Sequence, residues 1–181
     1  SKNSMKPIET IEQLDAVLAS YAVYGVNIFQ EQPDMMLGTD DFAFIPLIQD
    51  NKPYSAEILG YGLWVDQNVA ERYSTWNAEY TKIYYANLVL HYLDKVTGTE
   101  KEKAILKADA HFLRAYSMYT IALAHTLYYD GTNGDELGIC LKQTPSFEES
   151  AARATLAETW DFIENDLQEA LKITKPFIRE D

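Results

Sequence analysis

Residues 99–130, TEKEKAILKADAHFLRAYSMYTIALAHTLYYD, constrain this chain more than any other stretch. Ile105, Ala108, Phe112, Ala115, Tyr119, Ala122 and Thr126 recur at alternating steps of three and four, the spacing of one helical face. Leu106, Leu113, Tyr116, Ile121 and Leu127 widen the apolar surface beyond a single stripe. A helix apolar over most of its circumference needs neighbours on several sides. Thr99 with Glu102 three residues later forms a capping-box pattern that would satisfy two backbone N–H groups at its start. At 1.5 Å per residue this helix, expected over 99–129, would span on the order of 45 Å, about the width of a domain. The other elements are therefore expected to pack along it.

Two further capping-box patterns place two more helices. Thr10 and Gln13 precede Ile11, Leu14, Leu18 and Tyr21, which predicts a helix over 10–25. Thr155 and Glu158 precede Leu156, Trp160, Ile163, Leu167, Ala170 and Leu171, which predicts a helix over 155–174, stopped by Pro176. On that reading Trp160 is a core residue, on one face with Ile163 and Leu167. A fourth helix is expected over 70–96, with Trp76, Tyr80, Ile83, Asn87, Leu90 and Asp94 on one side. Asn87 is the polar member of that face. A buried amide needs hydrogen-bond partners, so it is expected to tie down a neighbouring loop. The short Gly98 turn between this helix and the long one makes the two an antiparallel hairpin. Residues 27–71 form a long irregular region with Pro33, Pro46 and Pro53, rich in aromatic residues. Loops of this length are uncommon in compact domains and usually carry function. The fold expected is all-α, a single helical domain over 1–181.

Charge and composition exclude several functions. The net charge of −13 repels polyphosphate, so no nucleic-acid partner is expected, and the same balance argues against anionic lipid. No apolar run approaches a membrane span and no signal-peptide pattern is present; a chain starting at Ser1 is read as a processed piece. Cys140 is the only cysteine, which excludes an internal disulfide and a cysteine-based metal cluster. No Gly-rich phosphate loop, His-Glu-x-x-His or Gly-x-Ser-x-Gly occurs, so no cofactor and no enzyme activity are expected. His111 and His125 would stand about 20 Å apart along one helix, too far to share a metal. Each is read as a packing residue, and Asp130-Gly-Thr-Asn-Gly-Asp-Glu136 is read as a turn, since it departs from the EF-hand pattern at Thr132 and Gly134.

Four separated pieces resemble one family. Trp76-Asn-Ala-Glu-Tyr80, with Ile83, Ala86 and Asn87, is similar to a Trp–Tyr–Ile–Ala-Asn pattern of the SusD/RagB proteins. Ala108-Asp-Ala-His-Phe112-Leu-Arg114-Ala-Tyr116 resembles their Gly-Glu-Ala-x-Phe-Leu-Arg-Ala-Tyr segment. Leu137-Gly-Ile-Cys140-Leu141, followed by the Thr155-capped helix, resembles their Gly-Val-Pro-Leu turn and next helix, and Leu37-Gly-Thr-Asp-Asp41 matches an early loop. Ala108-Asp109 replaces Gly-Glu and Cys140 replaces Pro.

The resemblance implies tetratricopeptide-like helix pairs with long irregular loops. It also implies an N-terminal portion of a longer surface lipoprotein, anchored in the bacterial outer membrane through a cysteine upstream of Ser1. Such a protein binds an oligosaccharide or polysaccharide, without chemistry, and delivers it to a SusC-like TonB-dependent transporter. Arg114 would then be a structural cation whose carboxylate partner lies on another element. The alternative is a helical-repeat scaffold that binds another protein or peptide through a concave face. Ligand contacts are expected in residues 54–73, where Tyr61, Trp64 and Tyr73 lie outside the sustained helical faces and Asp66, Gln67 and Asn68 supply polar groups. The candidate ligand-binding residues are therefore Tyr61, Trp64, Asp66, Asn68 and Tyr73.

Overall fold

A computed structural model describes residues 7–23 and 74–173. The chain divides into two compact units, Ser1–Ile28 with Ala78–Asp181, and Phe29–Asn77. Apart from the first turn of one helix, the described residues belong to the first unit. They are all-α: helix α1 (Ile11–Val23), helix α2 (Ser74–Tyr92) with a 3-10 turn at Leu93–Lys95, helix α3 (Glu100–His125) and helix α4 (Leu156–Ala170). Among the described residues there is no strand, only two isolated bridges.

The three capping boxes start three of these helices. The Thr99 hydroxyl accepts the Glu102 N–H at 3.2 Å while the Glu102 carboxylate accepts the Thr99 N–H at 2.8 Å. Hydrogen bonds from Thr99 hold the Glu102 carboxyl below its ordinary pKa. Thr155 and Glu158 repeat the exchange at 3.2 and 2.8 Å, and Thr10 with Gln13 makes the amide version at 3.4 and 3.2 Å. Each exchange satisfies donors that the first helical turn would otherwise leave open.

Helix α3 lies between its neighbours as its apolar girth requires. On one side Leu106 and Ala110 join Ile11 and Leu14 of α1 and Val89, Leu93 and Val96 in one buried cluster. On the other side α3 and α4 run antiparallel: Tyr119 meets Trp160 near one end, and His111 and Arg114 meet Asp166 near the other. The segment before α1 is pinned to the α2–α3 turn, with Thr97 N–H on Glu9 O at 2.9 Å and Ile11 N–H on Thr97 O at 3.0 Å. Gly98 permits that approach, because a Cβ there would stand 2.9 Å from the Ile11 Cβ.

Several boundaries and faces differ from the sequence expectation. Helix α3 ends at His125, not near 129, since Thr126 is already extended and its hydroxyl takes the Ala122 carbonyl. The Arg153 guanidinium takes the His125 carbonyl at 3.0 Å, so the open end needs no further turn. Helix α2 gives way to the 3-10 turn at Leu93, and α4 ends at Ala170 with Leu171 as its cap. Residues 24, 25, 70–73 and 174 of the expected helices lie outside the described residues.

The buried stripe of α4 is Leu156, Thr159, Ile163 and Asp166, one position off the expected apolar one. Trp160 is therefore half-buried, its ring edge-on to Tyr119 and parallel to Tyr129, and Leu167 is 38% exposed. Phe112 and Tyr119, read as core from their spacing, are each 41% exposed. Polar residues displaced the apolar ones from the α3–α4 seam because Arg114, once buried, requires a carboxylate opposite.

Candidate functional site

Arg114 is the centre of a buried polar network between α2, α3 and α4. It is 7% exposed. Its Nε and Nη2 donate to the two oxygens of Asp166, each at 2.7 Å, a bidentate pair. Its Nη1 donates at 2.7 Å to Asn87 Oδ1, and its face lies 5.1 Å from the Phe162 ring. His111 Nδ1 stands 2.8 Å from Asp166 Oδ1. Burial alone would raise the Asp166 pKa, but the hydrogen bonds and charges of Arg114 and His111 outweigh it and hold the carboxyl below its ordinary value.

Asn87 carries this order outward. Its amide accepts from Arg114 on one side and donates from Nδ2 to the carbonyls of Lys142 and Thr144, at 3.1 and 3.3 Å, on the other. Asn87 does tie down a loop, and the carboxylate partner of Arg114 does lie on another element. Asp166 was legible only as an acid three residues beyond Ile163 in a helix whose other acids face solvent. Sequence reasoning did not use that signal.

Further ties hold the loop between α3 and α4. The Tyr80 hydroxyl donates to Cys140 O at 2.8 Å and accepts Cys140 N–H at 3.0 Å, and burial pushes its phenol well above the ordinary value. Ile139 N–H donates to Thr159 Oγ1 at 3.1 Å. Gly138 is required beside that bond, since a Cβ would lie 2.0 Å from Thr159 Oγ1 and 2.4 Å from Thr155 O. Arg153 donates to the carbonyls of Gly138, Leu137 and His125. Cys140, in place of the expected Pro, is buried and its thiol faces Ala151 O at 2.9 Å. The 130–136 stretch is a turn: Asp130 Oδ1 accepts the N–H and hydroxyl of Thr132, both at 2.8 Å, and Asn133 Oδ1 accepts Asp130 N–H at 3.2 Å.

A cleft of about 210 Å³ opens between α1 and α3, floored by Ile11, Ile105 and Leu106 and rimmed by Glu12, Asp15, Glu102 and Asp109. Burial and the neighbouring charge of Asp15 push the Asp109 carboxyl up. Pockets for ligands of drug size run to roughly 300–1,000 Å³, so this cleft is small for an oligosaccharide. The sequence-predicted ligand residues Tyr61, Trp64, Asp66, Asn68 and Tyr73 lie outside the described residues. Among the described residues, Asn87, Tyr80 and Thr159 bond from the helices to loop backbone.

The family described as "Starch-binding associating with outer membrane", SusD-like, matches residues 2–175, and the chain belongs to it. That family is carbohydrate-binding and non-enzymatic. Solved structures share the fold. A putative sugar binding protein from Bacteroides vulgatus is 20% identical with a TM-score of 0.72, over 93% of this chain and 38% of that one. A SusD superfamily protein from Bacteroides thetaiotaomicron is 18% identical with a TM-score of 0.68, over 90% and 37%. A SusD-like carbohydrate binding protein from Bacteroides vulgatus is 16% identical with a TM-score of 0.66, over 96% and 38%. The chain thus spans a little over a third of the length of these structures. No curated protein sequence matches it.

Proposed function

We propose that this chain is part of a non-enzymatic nutrient-binding protein of the bacterial cell surface. It captures an oligosaccharide or polysaccharide and delivers it to a SusC-like TonB-dependent transporter in the outer membrane. Anchorage is through a lipid on a cysteine upstream of Ser1. The observation that carries the binding reading is the use made of the buried polar residues. Asn87, Thr159 and Tyr80 hold loop backbone, and Arg114, paired with Asp166, fixes the Asn87 amide. Such a frame suits presentation of binding loops more than turnover.

Ligand contact is assigned to residues 54–73. A sugar would lay its C–H face on Trp64, flanked by Tyr61 and Tyr73, and Asp66 and Asn68 would pair with its hydroxyls. The net charge of −13 suits a neutral glycan over an anionic one. The test is Trp64→Ala in the complete native protein, read by glycan binding and by melting temperature together. Lost binding with an unchanged melting temperature supports the assignment. Retained binding with lost stability means that Trp64 is a packing residue.

A further inference from the structure

Helices α1 and α3 meet along a seam whose facing charges have one sign. The cleft between them has Glu12 and Asp15 on the α1 wall and Glu102 and Asp109 on the α3 wall, over an apolar floor. No Lys or Arg lines it, although Lys101, Lys103 and Lys107 lie on the same stretch of α3. Neither helix brings a cation from its neighbouring turns. Residues three and four apart share a helical face, and those around Asp109 are Ile105, Leu106, Phe112 and Leu113. Around Asp15 they are Ile11, Glu12, Leu18 and Ala19. Glu102 is held by Thr99 in the capping box. Among the described residues no ion pair engages Glu12, Asp15 or Asp109. The grip of α1 is otherwise modest: it buries Ile11 and Leu14, packs Val17 and Leu18 in part, and is tied by backbone bonds to Thr97.

We infer that this seam is a pH-sensitive latch: acid tightens α1 onto α3, and the ionised carboxylates that face one another across the cleft loosen it. Like charges at this range repel, and an apolar floor screens them less than open water does. Burial and the charge of Asp15 both push the Asp109 carboxyl up. A carboxyl whose folded pKa lies above its unfolded value, here the ordinary 3.8, favours the docked state below that value and loses this contribution as pH rises through the folded one. The α3–α4 seam has the opposite sign. There Asp166 meets His111 and Arg114 of α3, Glu169 one turn on is paired with Lys172, and the Asp166 carboxyl is held below its ordinary value. Helix α3 is thus gripped from two sides by seams that acid moves in opposite directions. As pH falls from neutral, tightening on α1 comes first, above 3.8, and loosening on α4 follows below it.

The experiment is peptide-resolved amide hydrogen exchange on the complete native protein, with protection corrected for the intrinsic exchange rate at each pH. Asp109→Asn keeps the side chain's shape and abolishes its charge. At pH 7 the variant should raise protection of the α1 backbone by about twofold, the scale of relieving a like-charge pair, with α4 unchanged. At about pH 4 the gain should narrow, because the native Asp109 is then largely protonated. It should also shrink in an Asp15→Asn background, where the facing charge is already gone; an effect confined to α3 itself would not show that coupling. Unchanged or lower protection of α1 in Asp109→Asn at pH 7 overturns the latch. A gain of constant size down to about pH 4, or one that keeps its full size beside Asp15→Asn, also overturns it. An equal gain in α4 marks a change in global stability and overturns it as well.

Discussion

Replacing Asp166 with Asn tests the frame at its most concentrated point. The side chain keeps its shape and loses its charge. In the native protein Asp166 accepts two hydrogen bonds from Arg114 at 2.7 Å and faces His111 at 2.8 Å. After substitution Arg114, 7% exposed, keeps Asn87 Oδ1 as a partner and one amide oxygen, while the new NH₂ points a donor at a donor. Removing one member of a buried ion pair costs about 3–5 kcal/mol, since the other charge stays buried without compensation. The pH dependence follows from the lowered Asp166 pKa, held down by Arg114 and His111 against its burial. A carboxyl with a depressed folded pKa stabilises the fold above its unfolded value, here the ordinary 3.8, and loses that contribution as pH falls through the folded value. The gap between wild type and Asp166→Asn should therefore be full at pH 7 and narrow below about pH 4. Urea titrations followed by tryptophan fluorescence across that range measure it, with Trp160 beside the α3–α4 seam as a local reporter. A gap under about 1 kcal/mol at pH 7 would refute the reasoning. So would a gap of constant size down to pH 3.

Other expectations follow from single contacts. Gly138→Ala should destabilise by about 1–3 kcal/mol or more, because its Cβ would overlap Thr159 Oγ1 and the Thr155 carbonyl; an unchanged urea midpoint would show that the turn yields freely. Tyr80→Phe removes two hydrogen bonds to the Cys140 backbone and should cost about 1–3 kcal/mol, with faster amide exchange at Cys140 as the local sign. Thr99→Ala and Thr155→Ala should each cost about 1 kcal/mol, as they abolish hydroxyl acceptors at the starts of α3 and α4. A melting curve unaffected by either would mean that packing alone starts these helices.

The parts of this fold visible in the sequence are those encoded within a few residues. Thr99 with Glu102 and Thr155 with Glu158 are three apart, so their capping boxes can be read directly, and the helices begin there. The purpose of Asn87 was also readable, since a buried amide must have partners, although Lys142 and Thr144 as those partners were not. Long-range pairing was the hidden part. Asp166 is 52 residues from Arg114, and nothing local announces that they meet. That one pairing moved the buried stripe of α4 onto Thr159 and Asp166 and left Trp160 half out of the core. The same holds for Tyr80, which reaches 60 residues along the chain to Cys140. Glu79 and Lys82, 2.8 Å apart and each 1% exposed, form a buried pair that no local pattern singles out. Of the candidate ligand site, the sequence supplied the residues Tyr61, Trp64, Asp66, Asn68 and Tyr73, and they lie outside the described residues.

The proposed function is binding of a neutral glycan without chemistry. It is tested most directly by titrating neutral oligosaccharides into the complete native protein and recovering the sugar afterwards. The prediction is saturable binding of at least one neutral glycan, recovered with its linkages and chain length unchanged. Shortened or rearranged sugar, or a protein that binds no glycan at saturating concentrations, would contradict it.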